Sequence, residues 1–319
     1  MATETSRRST LYRLATPFWN ATEERPRALW RVLGAFVLVV AVASAVASVV
    51  VEFLASSQYL DGLVAQAVYA LTTLGVLVVW ARYVDRRPLA AYGFHPDRTW
   101  GRDLAVGAGI GLLAWGGALA TDLLAGWASV ESVLSAGTVG LPLAVGLTVG
   151  VAQFALVGLW EELLFRGIVL RNAVEGLGWL SRRGALAGGL VVSSLVFGVL
   201  HADQAGSVLA LGFWVFAGLV MGAAYLWTGE LAAPVGLHLA FDVSVNHVYG
   251  LFAVRAAALP YEPPTLVRPA FSGPDAFVGI AGLVNTGWLL VVAVAVLAYA
   301  RARNGSFDPP FATEYDPDR

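Results

Sequence analysis

The sequence predicts an all-α fold, a polytopic membrane protein built as a bundle of about eight transmembrane helices. Three observations carry this. The 319 residues are 58% hydrophobic and 13% charged, with a mean hydropathy of +0.70, whereas a soluble domain carries about 25% charged residues. Apolar runs of roughly 20 residues, the length that crosses a bilayer, recur along the chain. The arginines gather in alternate connections, as expected of a chain that threads a membrane repeatedly.

Residues 1–27 form a polar tail with Arg7, Arg8, Arg13, Arg25 and Arg27. The first apolar run, Ala28–Leu54, is too long for the core of a signal peptide, so it reads as a retained helix. The second span covers Leu63–Trp80 and is followed by Arg82, Arg86 and Arg87; a polar loop then runs to Trp100. The third covers Leu104–Leu124, and Trp127–Gly137 returns on the opposite side. The fourth runs over Leu141–Arg166 and can continue past the bilayer. A turn at Gly176–Gly184 leads into the fifth, Ala185–Leu200, the shortest run, whose end can extend to Asp203. The sixth and seventh cover Ser207–Trp227 and Ala233–Tyr249. A proline-rich loop, Arg255–Pro274, precedes the eighth, Ala276–Ala300, and residues 304–319 are a polar tail. The expected organisation is thus tail 1–27, membrane domain 28–303 and tail 304–319. Counting arginine near the helix ends places both termini on the cytoplasmic side of the cell membrane.

Composition also excludes functions. With no cysteine there is no thiol nucleophile, disulfide or Cys-ligated metal. A net charge of −2 speaks against a nucleic-acid partner; the partners expected are the bilayer and a membrane-embedded peptide or protein. No HExxH metal helix and no P-loop occurs.

Against this apolar background one stretch stands out, Glu161-Glu162-Leu163-Leu164-Phe165-Arg166. Ionisable groups at membrane depth are costly and mark functional sites when they face the interior. Glu162 and Arg166 are spaced to pair on one helix face. Glu161 points about 100° away from Glu162 and is the acid left free for chemistry. Three more polar groups interrupt or end apolar runs: His201, His238 and Asp242. Phe197 shares a face with His201; His238, Asp242 and Asn246 share another. In a helical hairpin folded about residue 181, positions summing to about 362 lie level, which sets Glu161 beside His201. His95, in a polar loop, and His247, near a helix end, read as ordinary, and Ser193 and Ser194 as packing residues.

A carboxylate with a histidine can deprotonate water, and a second histidine with a polar neighbour can stabilise the oxyanion formed at a carbonyl. Glu161, His201 and His238 could instead hold Zn²⁺, so the chemistry can run with or without metal. Either way it fits amide hydrolysis in a membrane cavity. A proton-coupled transporter would also use such groups, but no inverted repeat of broken helices is visible.

The order Glu161-Glu162-x-x-x-Arg166, Phe197-x-x-x-His201 and His238-x-x-x-Asp242 resembles the CPBP family. These are CAAX-processing and bacteriocin-processing intramembrane proteases, also called Abi, and include the Rce-type CAAX prenyl endopeptidases. The resemblance covers residues 141–250 and includes the linker Gly218–His238. It implies an endopeptidase in which Glu161 and His201 activate water, Glu162 and Arg166 support them, and His238 with residue 242 forms the oxyanion site. It implies a membrane-embedded or prenylated substrate, and leaves open a zinc-dependent enzyme or a silent scaffold or immunity protein. Asp242 departs from the family's commoner Asn: an ionised carboxylate accepts hydrogen bonds and cannot donate one to an oxyanion.

Overall fold

A computed structural model describes residues 16–54, 57–202, 208–250 and 261–310. The N-terminal tail to residue 15, Asp203, Arg255 and the C-terminal tail beyond residue 310 lie outside the described residues. Among these residues, seven helices are long and apolar enough to cross a membrane: α1 Ala28–Leu54, α2 Gln58–Val84, α3 Arg98–Leu124, α4 Leu143–Gly176, α5 Arg182–Leu200, α6 Val208–Thr228 and α8 Leu283–Asn304. The helix read as the seventh span, α7, is shorter: Ala232–Val243 in α geometry, then a π turn at Ser244–Val248. The chain is an integral membrane protein. Large apolar side chains such as Val37, Phe53, Leu71, Leu113 and Val199 point outward, as lipid-facing residues do.

Capping fixes several boundaries that hydropathy alone misplaces. Ser57 caps α2 by accepting from the Leu60 amide, and Asp97 caps α3 by accepting from Trp100. Both helices therefore start some residues before their apolar runs. The Asp97 carboxyl is held below its usual range by that amide. Ser181 caps α5 through the Gly184 amide. In contrast, α8 begins at Leu283 and not Ala276, because Gly279 takes a positive φ of 85° that breaks helical continuity.

A feature with no signal in the sequence lies on the opposite side from the arginine-rich ends. The return segment after α3 and the proline-rich loop pair as antiparallel strands β1 (Ala128–Ser135) and β2 (Thr265–Phe271), with an irregularity between Val130 and Ser132. At the arginine-rich end, Arg31 bonds Asp85 at 3.1 Å and Glu175 at 2.9 Å, tying α1 to the loop after α2 and to the end of α4. Tyr92 donates to Asp85 in the same cluster. Burial, then the Asp85 charge, push the Tyr92 phenol well above its usual range.

Helix α7 sits at the centre. Most residues from Ala232 to Val248 are buried, as in a helix packed in a core. It packs most closely on α3, and also on α4 and α6. The approach to α3 is backbone on backbone: a Cβ on Gly236 would fall 2.1 Å from the Leu104 carbonyl, and one on Gly107 2.3 Å from that of Ala233. Helix α4 passes on another side, with Gly158 against Val235 and Leu239. Immediately after Glu162, α4 widens into a π segment, Leu163–Leu170, whose eight residues are all buried. Such widened turns are frequent at functional sites. This segment divides two apolar cores, one around Phe197, Trp214, Phe213, Phe241 and Trp115, the other around Leu164, Ile168, Leu170, Tyr225 and Leu231.

Candidate active site

The polar residues singled out in the sequence converge from α4, α5 and α7 into one buried cluster. Glu161 and Glu162 end the α-helical part of α4. His201 caps the C-terminus of α5. His238 and Asp242 lie one turn apart on α7.

Glu162 is the fixed acid. Its Oε1 accepts from Arg166 Nη1 at 2.8 Å and faces His238 Nδ1 at 2.8 Å. Both Glu162 and Arg166 are fully buried. Arg166 also donates Nη2 to the Gly218 carbonyl at 3.2 Å and lies 4.7 Å from the Phe197 ring centroid. One ion pair thereby ties α4 to α6, α7 and the Phe197 ring on α5. A buried pair needs further hydrogen bonds to persist; here His238 and the Gly218 carbonyl supply two, while Glu162 Oε2 and Arg166 Nε stay without partners.

Glu161 is different. Its Oε2 is buried without a hydrogen-bond partner. It lies 3.8 Å from His201 Nε2 and 3.8 Å from His238 Nε2, too far for direct hydrogen bonds but close enough for one small molecule to touch several of these atoms. Asp242 Oδ2 is 3.5 Å from His238 Nε2. Asn246 does not join the cluster; its Nδ2 donates to the Asp242 carbonyl at 2.8 Å. The i,i+4 spacing placed it on the right face, but the π turn beginning at Ser244 and this backbone bond keep it out of the site.

The tautomer of His201 follows from its neighbour. Nδ1 lies 2.8 Å from the Phe197 carbonyl, which can only accept. In the neutral ring Nδ1 therefore carries the proton and Nε2 turns a lone pair toward Glu161. This bond also satisfies one of the last carbonyls of α5. The imidazole is clamped between two rings: Phe197 at 4.3 Å and 32°, and Trp214 at 4.7 Å and 29°. Sequence reasoning missed Trp214. It belongs to a wholly apolar run on α6, and no spacing rule singles it out. It also missed Phe165, which meets Phe197 edge-on at 5.1 Å. The remaining candidates behave as packing groups: Ser193 donates to the Phe165 carbonyl at 2.9 Å, and Ser194 to that of Leu190. His247 Nδ1 donates to the Pro264 carbonyl at 2.8 Å, away from this cluster.

A zinc ion needs each ligand at about 2.0–2.2 Å. Among the described residues no group of three or more His, Asp or Glu side chains is arranged to hold one.

Three acids, two histidines and a buried arginine on three membrane helices define a class of site, an acid–histidine centre enclosed in a membrane protein. Residues 142–244, which carry all three motifs, match the family described as Rce1-like, type II CAAX prenyl endopeptidase Rce1-like. This segment is of the CPBP, Rce-type family, a family of CAAX-type membrane proteases, as the motifs imply. No curated protein and no solved structure matches the chain significantly.

Proposed function

We propose that this protein is an intramembrane endopeptidase that hydrolyses a peptide bond with a water activated by Glu161 and His201. The observation that carries this is the pairing of an acceptor, His201 Nε2, with a buried carboxylate oxygen that has no partner, Glu161 Oε2, 3.8 Å apart. A water about 2.8 Å from both would donate one proton to each. As its oxygen attacks the carbonyl carbon, the proton passes to Glu161. The C–N bond then breaks, and Glu161 returns that proton to the leaving nitrogen. Glu162 and Arg166 hold His238 beside the reacting oxygen.

The substrate we propose is a prenylated or otherwise membrane-embedded peptide. A largely apolar groove of about 590 Å³ runs beside Leu29 and Leu33 of α1 to Val192 and Val196 of α5, one residue from Phe197. An isoprenoid or acyl chain suits such a lining. The test is cleavage of a farnesylated CAAX peptide by the purified full-length protein, wild type beside His201→Ala, with the metal content of both samples measured. Cleavage by wild type that is lost in His201→Ala, with the fold retained, is expected. Equal cleavage by both would remove His201 from the mechanism. Cleavage that tracks a stoichiometric metal would replace the water held by Glu161 and His201 with a metal-bound one.

A second reading has its own support. The Glu162–Arg166–His238 network joins three helices and would serve a silent scaffold or immunity protein equally well. That reading expects no cleavage from any form and an intact fold in all of them.

We also propose that both termini face the cytoplasm. The chain has no cysteine, so single cysteines report topology without background. Glu131→Cys on β1 should react with a membrane-impermeant maleimide on intact cells. Asp308→Cys, just beyond α8, should react only after permeabilisation. The reverse pattern would invert the orientation.

A further inference from the structure

Water attack by Glu161 and His201 leaves the oxyanion short of a donor, and a donor assigned to that oxyanion rests on the water-attack reading. Residue 242 is an acid, and an ionised carboxylate has no proton to give. Its Oδ2 lies 3.5 Å from His238 Nε2, so any proton on that nitrogen already has an acceptor close by. Asn246, the nearest amide along the same helix, spends one of its two Nδ2 protons on the Asp242 carbonyl.

Trp214 of α6 lies beside His201. It is 5% exposed. Its indole stacks on His201 at 4.7 Å and meets Phe241, the neighbour of Asp242, edge-on at 5.7 Å. Its Nε1–H is buried and has no hydrogen-bond partner. An indole nitrogen can only donate, and buried tryptophans usually find an acceptor. Leaving such a donor unmade is costly, a cost that is recovered if the acceptor arrives with the reaction. A donor placed in advance where charge develops is how enzymes stabilise an oxyanion.

We propose that Trp214 Nε1–H donates to the oxyanion, taking the part that an asparagine at position 242 would play. When the water oxygen bonds to the carbonyl carbon, the C=O π pair moves onto the carbonyl oxygen. That negative oxygen accepts from the indole N–H while the water proton goes to Glu161. On collapse the pair returns to carbon, the C–N bond breaks, and the indole donor is freed.

The test uses the purified full-length protein and the farnesylated peptide. Trp214→Phe keeps an aromatic ring against His201 and removes the N–H together with part of the indole, so the rescue by Asp242→Asn is what separates the lost donor from the lost packing. Expected is a fall in kcat of about 10²–10³-fold, the usual effect of losing one oxyanion donor, with KM little changed. Adding Asp242→Asn to Trp214→Phe should recover about tenfold or more, because the amide supplies a donor at the same oxygen. Binding of a peptide phosphonate, whose tetrahedral anion imitates the oxyanion, should weaken in Trp214→Phe and recover in the double variant. Trp214→Phe cleaving at close to the wild-type rate would overturn the donor and leave the water-attack reading standing. A loss that Asp242→Asn does not restore would make Trp214 a packing residue and overturn the donor too. Wild type that neither cleaves the peptide nor binds the phosphonate would remove the water-attack reading, and the donor with it.

Discussion

Glu161→Gln should slow peptide cleavage by about 10²–10⁴-fold, the usual contribution of a positioned proton-transfer group, while the purified protein unfolds at or above the wild-type temperature. The two halves of this expectation have separate causes. Glutamine matches glutamate in shape but cannot accept the water proton and return it to the leaving nitrogen. The stability half comes from what Glu161 lacks. Its Oε2 has no hydrogen-bond partner, and its nearest basic groups are histidine nitrogens at 3.8 Å. Burying a charge without close partners is costly, so removing it relieves the fold and breaks no short bond. Initial rates on the farnesylated peptide, read with thermal unfolding in the same detergent, check both. A Glu161→Gln enzyme with undiminished rate would sink Glu161 as the base. One that unfolds early would reassign the residue to structure.

The site was more legible in the sequence than the scaffold around it. Charged residues in apolar runs are sparse, so each is informative, and helical periodicity is regular enough to place pairs. The i,i+4 step from Glu162 to Arg166 gives a contact of 2.8 Å, and the matched depths of Glu161 and His201 correspond to 3.8 Å. The spacing rule failed at Asn246, where the backbone leaves α geometry, and π turns leave no mark in hydropathy. Trp214 was illegible for a different reason: an indole in an apolar run looks like core, and only its stacking on His201, with a buried N–H that has no partner, distinguishes it. The pairing of β1 with β2 was hidden because it joins segments far apart in sequence, neither of which alternates cleanly. Helix α7 reads as one more span of the bundle because a helix buried in protein and one buried in lipid are equally apolar.

Arg166→Met is expected to lower stability by about 3–5 kcal/mol, the cost of stranding a buried partner charge, and to abolish cleavage. Methionine fills much of the same volume, so the loss reports charge more than packing. Glu162 is fully buried, and without Arg166 only the His238 ring would remain on its Oε1. The Gly218 carbonyl would lose its donor, and Phe197 the cation at 4.7 Å from its ring. The informative comparison is the double variant Glu162→Gln/Arg166→Met. If the single variant fails because an acid is left uncompensated, removing the acid as well should restore much of the stability, since residues in one network couple strongly. Restored stability would separate folding from function. A neutral glutamine can still accept from His238 but cannot stabilise a charge on that ring, so the double variant should fold and remain inactive. Thermal unfolding and peptide cleavage measured on the two single variants and the double decide the matter. A double variant no more stable than Arg166→Met alone would place the arginine's contribution in its contacts with Gly218 and Phe197, and not in its pairing with Glu162.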